Sequence, residues 1–251
     1  MNTVTAALVG GPTIVLRYAG LTIVTDPTFD PPGKLDGLTK TEGPAIEATE
    51  LPPIDLALVS HDHHADNLDV LGYDVARGAA LALTTVAGAG RKEGLTGMAA
   101  GDVVTIDGPT PVTVTAVEAL HGPKVVAPLT GPVIGFILRA EGWPTVYFSG
   151  DNALVSVVKG IADAHPDVTI AVLCMGAAAV PTRGPVILTL NADRAAKVAA
   201  LWPNAVIVPV HVDGWKHFSQ QRAAALAGLA GHGLGYRVVA LKRGVETALN
   251  A

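Results

Sequence analysis

Three histidines and two aspartates fall within six residues at His61-Asp62-His63-His64-Ala65-Asp66, and Asn67 comes next. The whole chain holds only eight histidines, so three within four positions fits poorly with a chance polar loop. Imidazole and carboxylate together suit Zn²⁺, Mn²⁺ or Fe²⁺. The cluster follows Ile54-Asp55-Leu56-Ala57-Leu58-Val59, which reads as a buried strand. Three weaker signals stand after later strand-like runs. They are His121 in Ala119-Leu120-His121-Gly122-Pro123, Asp151 in Ser149-Gly150-Asp151-Asn152, and His211 in Val208-Pro209-Val210-His211-Val212-Asp213-Gly214. Singly, each has a plainer reading as a hydrogen-bonded structural His or a Gly-Asp turn. Their order and placement make them a set.

The elements that must position this set are mostly strands. Runs rich in Val, Ile and Thr, bounded by Gly, Pro or Asp, predict strands over 3–9, 13–18, 21–25, 54–60, 80–84, 103–106 and 112–117. Further strands are predicted over 133–138, 145–149, 168–173, 205–209 and 236–241. Helices are predicted to start at Asp66, over 152–164, over 191–201 with Asn191 as N-cap, and over 219–230 with Ser219 as cap and Gly231 as stop. Residues 33–53 read as a long loop, a common form for a lid over a site. Two sheets with helices packed outside satisfy this order. A doubly wound parallel sheet fits less well, because the early loops are too short for crossover helices.

Composition bounds the function. With 251 residues, 49% hydrophobic and 16% charged, the chain can bury a sizeable core. A net charge of -5 without a basic cluster disfavours a nucleic-acid partner. The most apolar stretch, 168–180, is too short to span a membrane. The single cysteine, Cys174, lies in an apolar run and reads as a buried, inert thiol. The first residues lack the basic segment of a secretory leader, and the expectation is a cytoplasmic protein.

The order of His-rich strand end, isolated His, Gly-Asp and late His resembles the metallo-β-lactamase superfamily. Gly10-Gly11-Pro12-Thr13, Thr25-Asp26-Pro27 and Asp213-Gly214-Trp215-Lys216-His217-Phe218 resemble the branch typified by ascorbate-6-phosphate lactonase. The resemblance implies an α/β (α+β) fold, a four-layer αβ/βα sandwich built by residues 1–251 as a single domain, with a metal site at one edge. It implies Zn or Mn, with one or two ions per chain. A His pair and His121 hold the first ion. Asp66, the residue after it and His211 hold the second, and Asp151 bridges the two.

The usual motif, His-x-His-x-Asp-His, is not intact. One residue is inserted between its halves, and Asn67 stands where the last His belongs. In an extended segment His61 pairs with His63. A tight turn instead pairs His61 with His64, which is preferred because it keeps the ligand next to the helix start. Asn67 is a weaker donor than imidazole, so the second site is predicted to be weak, to prefer a harder ion, or to be lost.

The resemblance implies a hydrolase in which a metal activates water and Asp66 orients it and carries its proton. Asp26 reads equally as a turn residue and as the acceptor of a hydrogen bond from a ligand imidazole. His217, Lys216 and Trp215 are candidates to line the pocket, and Arg183 to meet an anionic group, although a solvated loop role is the plainer reading of each. The expected partner is a small ester, lactone or phosphorylated substrate, and a homo-oligomer stays open. A phosphodiesterase or nuclease and a non-catalytic metal-binding protein are the competing readings.

Overall fold

The computed structural model describes residues 2–250. The first half supplies β1 (Val4–Gly10), β2 (Thr13–Tyr18), β3 (Leu21–Thr25), the hairpin β4 (Gly33–Leu35) and β5 (Leu38–Lys40), β6 (Leu56–Leu58), α1 (Val70–Gly78), β7 (Leu81–Thr85), α2 (Val86–Ala89) and β8 (Thr96–Met98). The second half supplies β9 (Val103–Ile106), β10 (Val112–Ala119), α3 (Ala127–Thr130), β11 (Val133–Arg139), β12 (Thr145–Phe148), α4 (Val155–Ala164), β13 (Val168–Cys174), α5 (Ala192–Ala199), β14 (Val206–Val210), α6 (Arg222–Gly231) and β15 (Glu246–Leu249). One sheet has the order β15-β1-β2-β3-β6-β7-β8 and the other β14-β13-β12-β11-β10-β9.

The period of two along a strand sorts side chains between layers. Val146 and Phe148 of β12, and Ile170, Val172 and Cys174 of β13, point into the core shared by the two sheets. Their neighbours Tyr147, Ala171 and Leu173 point outward and pack with residues of α4, α5 and α6. On the first sheet, Val24, Ala57 and Ala82 face outward and pack with Ala76 of α1. The result is the expected helix–sheet–sheet–helix sandwich. No helix among the described residues is long and apolar enough to cross a membrane.

Strand direction decides where the polar residues gather. β3, β6 and β7 run parallel, as do β12, β13 and β14. β10 and β12 are each antiparallel to β11, so β10 shares their direction. Segments leaving these strands therefore emerge at common sheet ends, where Asp26, Ser60, His121, Asp151 and His211 lie. The Ile134 amide donates to the Ser60 carbonyl at 3.1 Å, joining the two sheets at that edge.

Several elements depart from the sequence reading. Residues 236–241 do not form a strand: Gly235–Arg237 is a 3-10 turn and Val238 makes one isolated bridge to Ile207. The edge strand is β15, whose mixed exposure gives it no apolar run. The predicted loop 33–53 contains β4 and β5, joined through Asp36 and Gly37 with φ of 47° and 80°. An Asp-Gly pair in that conformation is the type I′ hairpin turn. Ser219 does not cap α6, since its hydroxyl donates to the Ala177 carbonyl and the helix starts after Gln221. The helix after the His cluster starts later than Asp66, with Asp69 as its cap.

Asp69 is also the anchor of the surrounding loops. It accepts from the amides of Phe29, Asp30 and Gly72, each at 2.8 Å, and from Lys40 Nζ at 2.9 Å. Both charges of the Lys40–Asp69 pair are buried. Removing one partner of a buried pair strands the other, at a typical cost of about 3–5 kcal/mol. Asp69→Ala is therefore expected to lower the unfolding free energy by about that amount in urea denaturation. A loss near ~1 kcal/mol, the size of a helix cap alone, would show that the pair does not hold the hairpin.

Candidate metal centre

The chain leaving β6 does not stay extended. The amides of Asn67 and Leu68 both return to the His64 carbonyl, at 3.1 and 3.0 Å, so residues 64–68 form a tight turn. Asp62 is held out of the site by Arg91, which contacts both carboxylate oxygens at 2.9 and 2.5 Å. His63 turns away as well: its Nε2 donates to the Thr130 carbonyl, and its ring faces the pocket. Residues 62 and 63 thus take up the insertion. His61 Nε2 comes within 3.0 Å of His64 Nδ1, and His61, His64 and His121 form one compact donor group.

Two of these rings have a fixed tautomer. The Ser60 hydroxyl donates to Asp26 Oδ2 at 2.8 Å, so its oxygen is free to accept from His61 Nδ1 at 3.0 Å. The Leu188 carbonyl accepts from His121 Nδ1 at 2.8 Å. Both arrangements leave Nε2 bare, the form a metal requires. Burial, reinforced by the neighbouring imidazoles, pushes His64 down to about 4 and holds His61 well below the usual range, so both rings are neutral.

A second group lies beside the first. His211 follows β14 with φ of 57°, a strained conformation for a residue with a side chain. Its amide donates to the Gly11 carbonyl at 2.7 Å, which ties it to the β1–β2 turn. Its Nδ1 lies 2.9 Å from Asp151 Oδ1 and its Nε2 3.2 Å from Asp66 Oδ2. Asp66 Oδ2 also accepts from His217 Nε2 at 3.0 Å. Burial works to raise both carboxyls, but the His211 ring beside each and His217 beside Asp66 overcome it, and both stay ionised. Cys174 is buried, as expected, and burial pushes its thiol up to about 12. Its sulfur nonetheless lies close to the donors of Asp151 and His211.

The donor set fits metal ions. Asn67 Oδ1 and Asp151 Oδ2 are buried without a hydrogen-bond partner, and the His211 ring nitrogens face carboxylate oxygens at 2.9 and 3.2 Å without hydrogen-bond geometry. Orphaned buried groups of this kind are costly, and a cation placed among them removes the cost. Ligand atoms on one Zn²⁺ stand roughly 3 Å apart, given bonds of about 2 Å. The His61–His64, His211–Asp151 and His211–Asp66 donor pairs, at 3.0, 2.9 and 3.2 Å, match that.

The other predicted residues are placed as follows. Asp26 is fully buried and accepts from the Ser60 amide at 2.6 Å and from Asn67 Nδ2 at 3.0 Å, so it reaches His61 through the Ser60 hydroxyl and not directly. Burial pushes Asp26 up to about 7 against those hydrogen bonds. Lys216 is exposed, and it serves through its amide, which donates to the Thr39 carbonyl at 3.0 Å and holds the hairpin. Trp215 is buried against Lys40. Arg183 ends the 3-10 turn Pro181–Arg183, and its side chain lies outside the described residues. Ser60 and Thr130 act in the site without a signal in the sequence, because their contacts come from chain segments far away.

Two groups of buried imidazole and carboxylate donors, at the shared edge of a four-layer αβ/βα sandwich, define a metal centre of the metallo-β-lactamase fold. The Beta-lactamase superfamily domain matches residues 22–212, and the chain belongs to that family. The structure is similar to that of a possible metal-dependent hydrolase from Veillonella parvula DSM 2008, with a TM-score of 0.84, 19% identity, and 98% and 99% of the two chains covered. It is also similar to isothiocyanate hydrolase from Delia radicum gut bacteria, with a TM-score of 0.83, 19% identity, and 97% and 98% covered. A metallo hydrolase from Ignicoccus hospitalis gives a TM-score of 0.70 at 18% identity, with 100% of both chains covered. No curated protein matches the chain.

Two outcomes are expected from this geometry. Ser60→Ala removes the acceptor for His61 Nδ1 and should weaken metal binding about 10- to 100-fold with the fold intact. Zinc titration followed by competition with a chelator measures it, and unchanged affinity would remove Ser60 from the site. Zn²⁺ at 100 times its dissociation constant should raise the unfolding free energy by about 2.7 kcal/mol. A melting temperature indifferent to Zn²⁺ would show that the orphaned donors do not bind it.

Proposed function

We propose that this chain hydrolyses a small uncharged ester or lactone at a centre that takes two ions of Zn or Mn. The observation carrying this reading is the pocket in front of the donors. It has a volume of about 450 Å³, and His64, Asp66, His121 and His217 are among its lining residues. Leu38, Leu129, Val180 and Leu188 line its walls. No Lys or Arg stands among the described residues of this lining. Apolar walls with a few convergent polar groups suit a small neutral ligand. A phosphorylated substrate would find cationic partners only in the metal ions themselves.

When bound, the metal supplies a Lewis acid and a water of lowered pKa. The residues of the chain do the rest. Asp66, held as a carboxylate among the residues lining the pocket, is an acceptor for a proton. His217 Nε2 lies 3.0 Å from Asp66 Oδ2. Leu38 from the β4–β5 hairpin and Leu129 from α3 add apolar surface to the pocket.

The decisive experiment is a substrate panel with metal-loaded protein: neutral lactones, aryl esters, an alkyl isothiocyanate, a phosphomonoester and a phosphodiester. Turnover is expected for the neutral carbonyl substrates and should vanish in His61→Ala. Preferential cleavage of either phosphate ester would overturn the substrate class. Protein that binds metal yet turns over nothing would favour the non-catalytic reading.

A further inference from the structure

The motif position that normally carries an imidazole holds Asn67, and its amide nitrogen is committed elsewhere, leaving only Oδ1 without a partner. Asn67 Nδ2 donates to Asp26 Oδ2 at 3.0 Å and lies 3.3 Å from Asp151 Oδ1. Carboxylates only accept, so this network fixes which end of the amide faces them. Asn67 therefore ties Asp151 to Asp26 and contributes no nitrogen. The second donor group is left one imidazole short.

An imidazole from the far end of the chain reaches the same place. His217 Nε2 stands 3.0 Å from Asp66 Oδ2, and His211 Nε2 stands 3.2 Å from that same oxygen. The His217 side chain is only 10% exposed, and its Nδ1 is buried without a partner. Its position is set by packing and not by chance. The Phe218 ring meets His211 edge-on at 4.4 Å and His217 at 4.5 Å, so one aromatic side chain spaces both rings. The backbone around it is held at several points. The Ala179 amide donates to the His217 carbonyl at 3.0 Å, the Lys216 amide to Thr39, and Gln221 Nε2 to the carbonyls of Trp215 and Phe218. A solvated loop residue would have none of these restraints.

We propose that His217 is a ligand of the second ion and supplies the imidazole that Asn67 does not. The second set is then Asp66, Asp151, His211 and His217, two oxygens and two nitrogens on facing loops. This rests on the two-ion reading above and deepens it. Four donors of this mixture suit Zn²⁺. Because His217 also lines the pocket, the second ion faces the substrate. The relocation explains how the chain carries an Asn in a ligand position without losing the site.

The test counts ions and needs no substrate. Wild-type protein and His217→Gln are loaded in zinc buffers of known free concentration and analysed for metal by mass spectrometry, with circular dichroism confirming the fold of each. Wild type is expected to hold two ions. The variant should keep one, with the affinity for the other reduced at least ~100-fold, beyond the 10- to 100-fold typical of a residue that only supports a ligand. Proton NMR of the cobalt-substituted proteins gives a second measurement. One hyperfine-shifted imidazole N–H signal should disappear in the variant while those of the first site remain. Two ions retained at unchanged affinity would overturn the proposal, as would a wild type that saturates at one ion. Lost turnover with both ions kept would likewise overturn it, assigning His217 to proton transfer and leaving the hydrolase reading intact. Two ions in wild type without turnover of any substrate would sink the hydrolase reading alone.

Discussion

The buried carboxylate of Asp26 is the constraint on which the centre depends. It follows β3 with φ of 32°, and its own amide donates to the Leu58 carbonyl of β6. Its oxygens then collect the Ser60 amide, the Ser60 hydroxyl and the Asn67 amide group. One side chain thereby fixes both ends of the ligand turn and the tautomer of His61. Burying a carboxyl is costly, and burial pushes Asp26 up to about 7. Three donors offset much of it, and each lies in or next to the ligand set. The strain at Asp26 and at His211 belongs to the same economy: sparsely populated backbone conformations are held in place by surrounding structure where ligand geometry demands them.

The two sheets contribute unequally but symmetrically in form. β3 and β6 on one side end in Asp26 and the His cluster. β10, β12 and β14 on the other end in His121, Asp151 and His211. Parallel direction brings these ends to one edge, and the inter-sheet core of Val, Leu, Ile and Phe fixes the distance between them. The apolar parts of the chain act on the chemistry by this route. A polar edge rich in buried imidazoles and carboxylates is unstable by itself, and a close-packed interior keeps it from relaxing. His211, with a carboxylate at each ring nitrogen, is the sharpest case. Beside Asp151 and Asp66 its imidazole is held well above the usual range despite burial, so a proton and a metal ion compete for the same space.

Much of the scaffold was legible because apolar periodicity reports burial directly. Residues 13–18, 21–25 and 103–106 form strands with the predicted bounds. Asn191 caps α5 through its side chain, as its type and place foretold. The elements that depart from the sequence reading lack that periodicity or are set by contacts with distant segments. β15 alternates weakly, and β8 is three residues long. Asp36-Gly37 marked a hairpin inside an apparent loop. Ser219 looked like a cap, but a carbonyl from another segment claimed its hydroxyl.

The sequence by itself determined the candidate donors and their order along the chain: His61, the His63–His64 pair, Asp66, His121, Asp151 and His211. Residue type and spacing carry that information because metals need particular donors and strand ends hold them still. Only the tertiary structure decided between His63 and His64, since the choice depends on where Thr130 and Arg91 lie. It also decided what Asn67 does and brought His217 next to Asp66 across 151 positions of sequence. Contacts of that range are set by how loops from two sheets pack against each other. No local pattern encodes them.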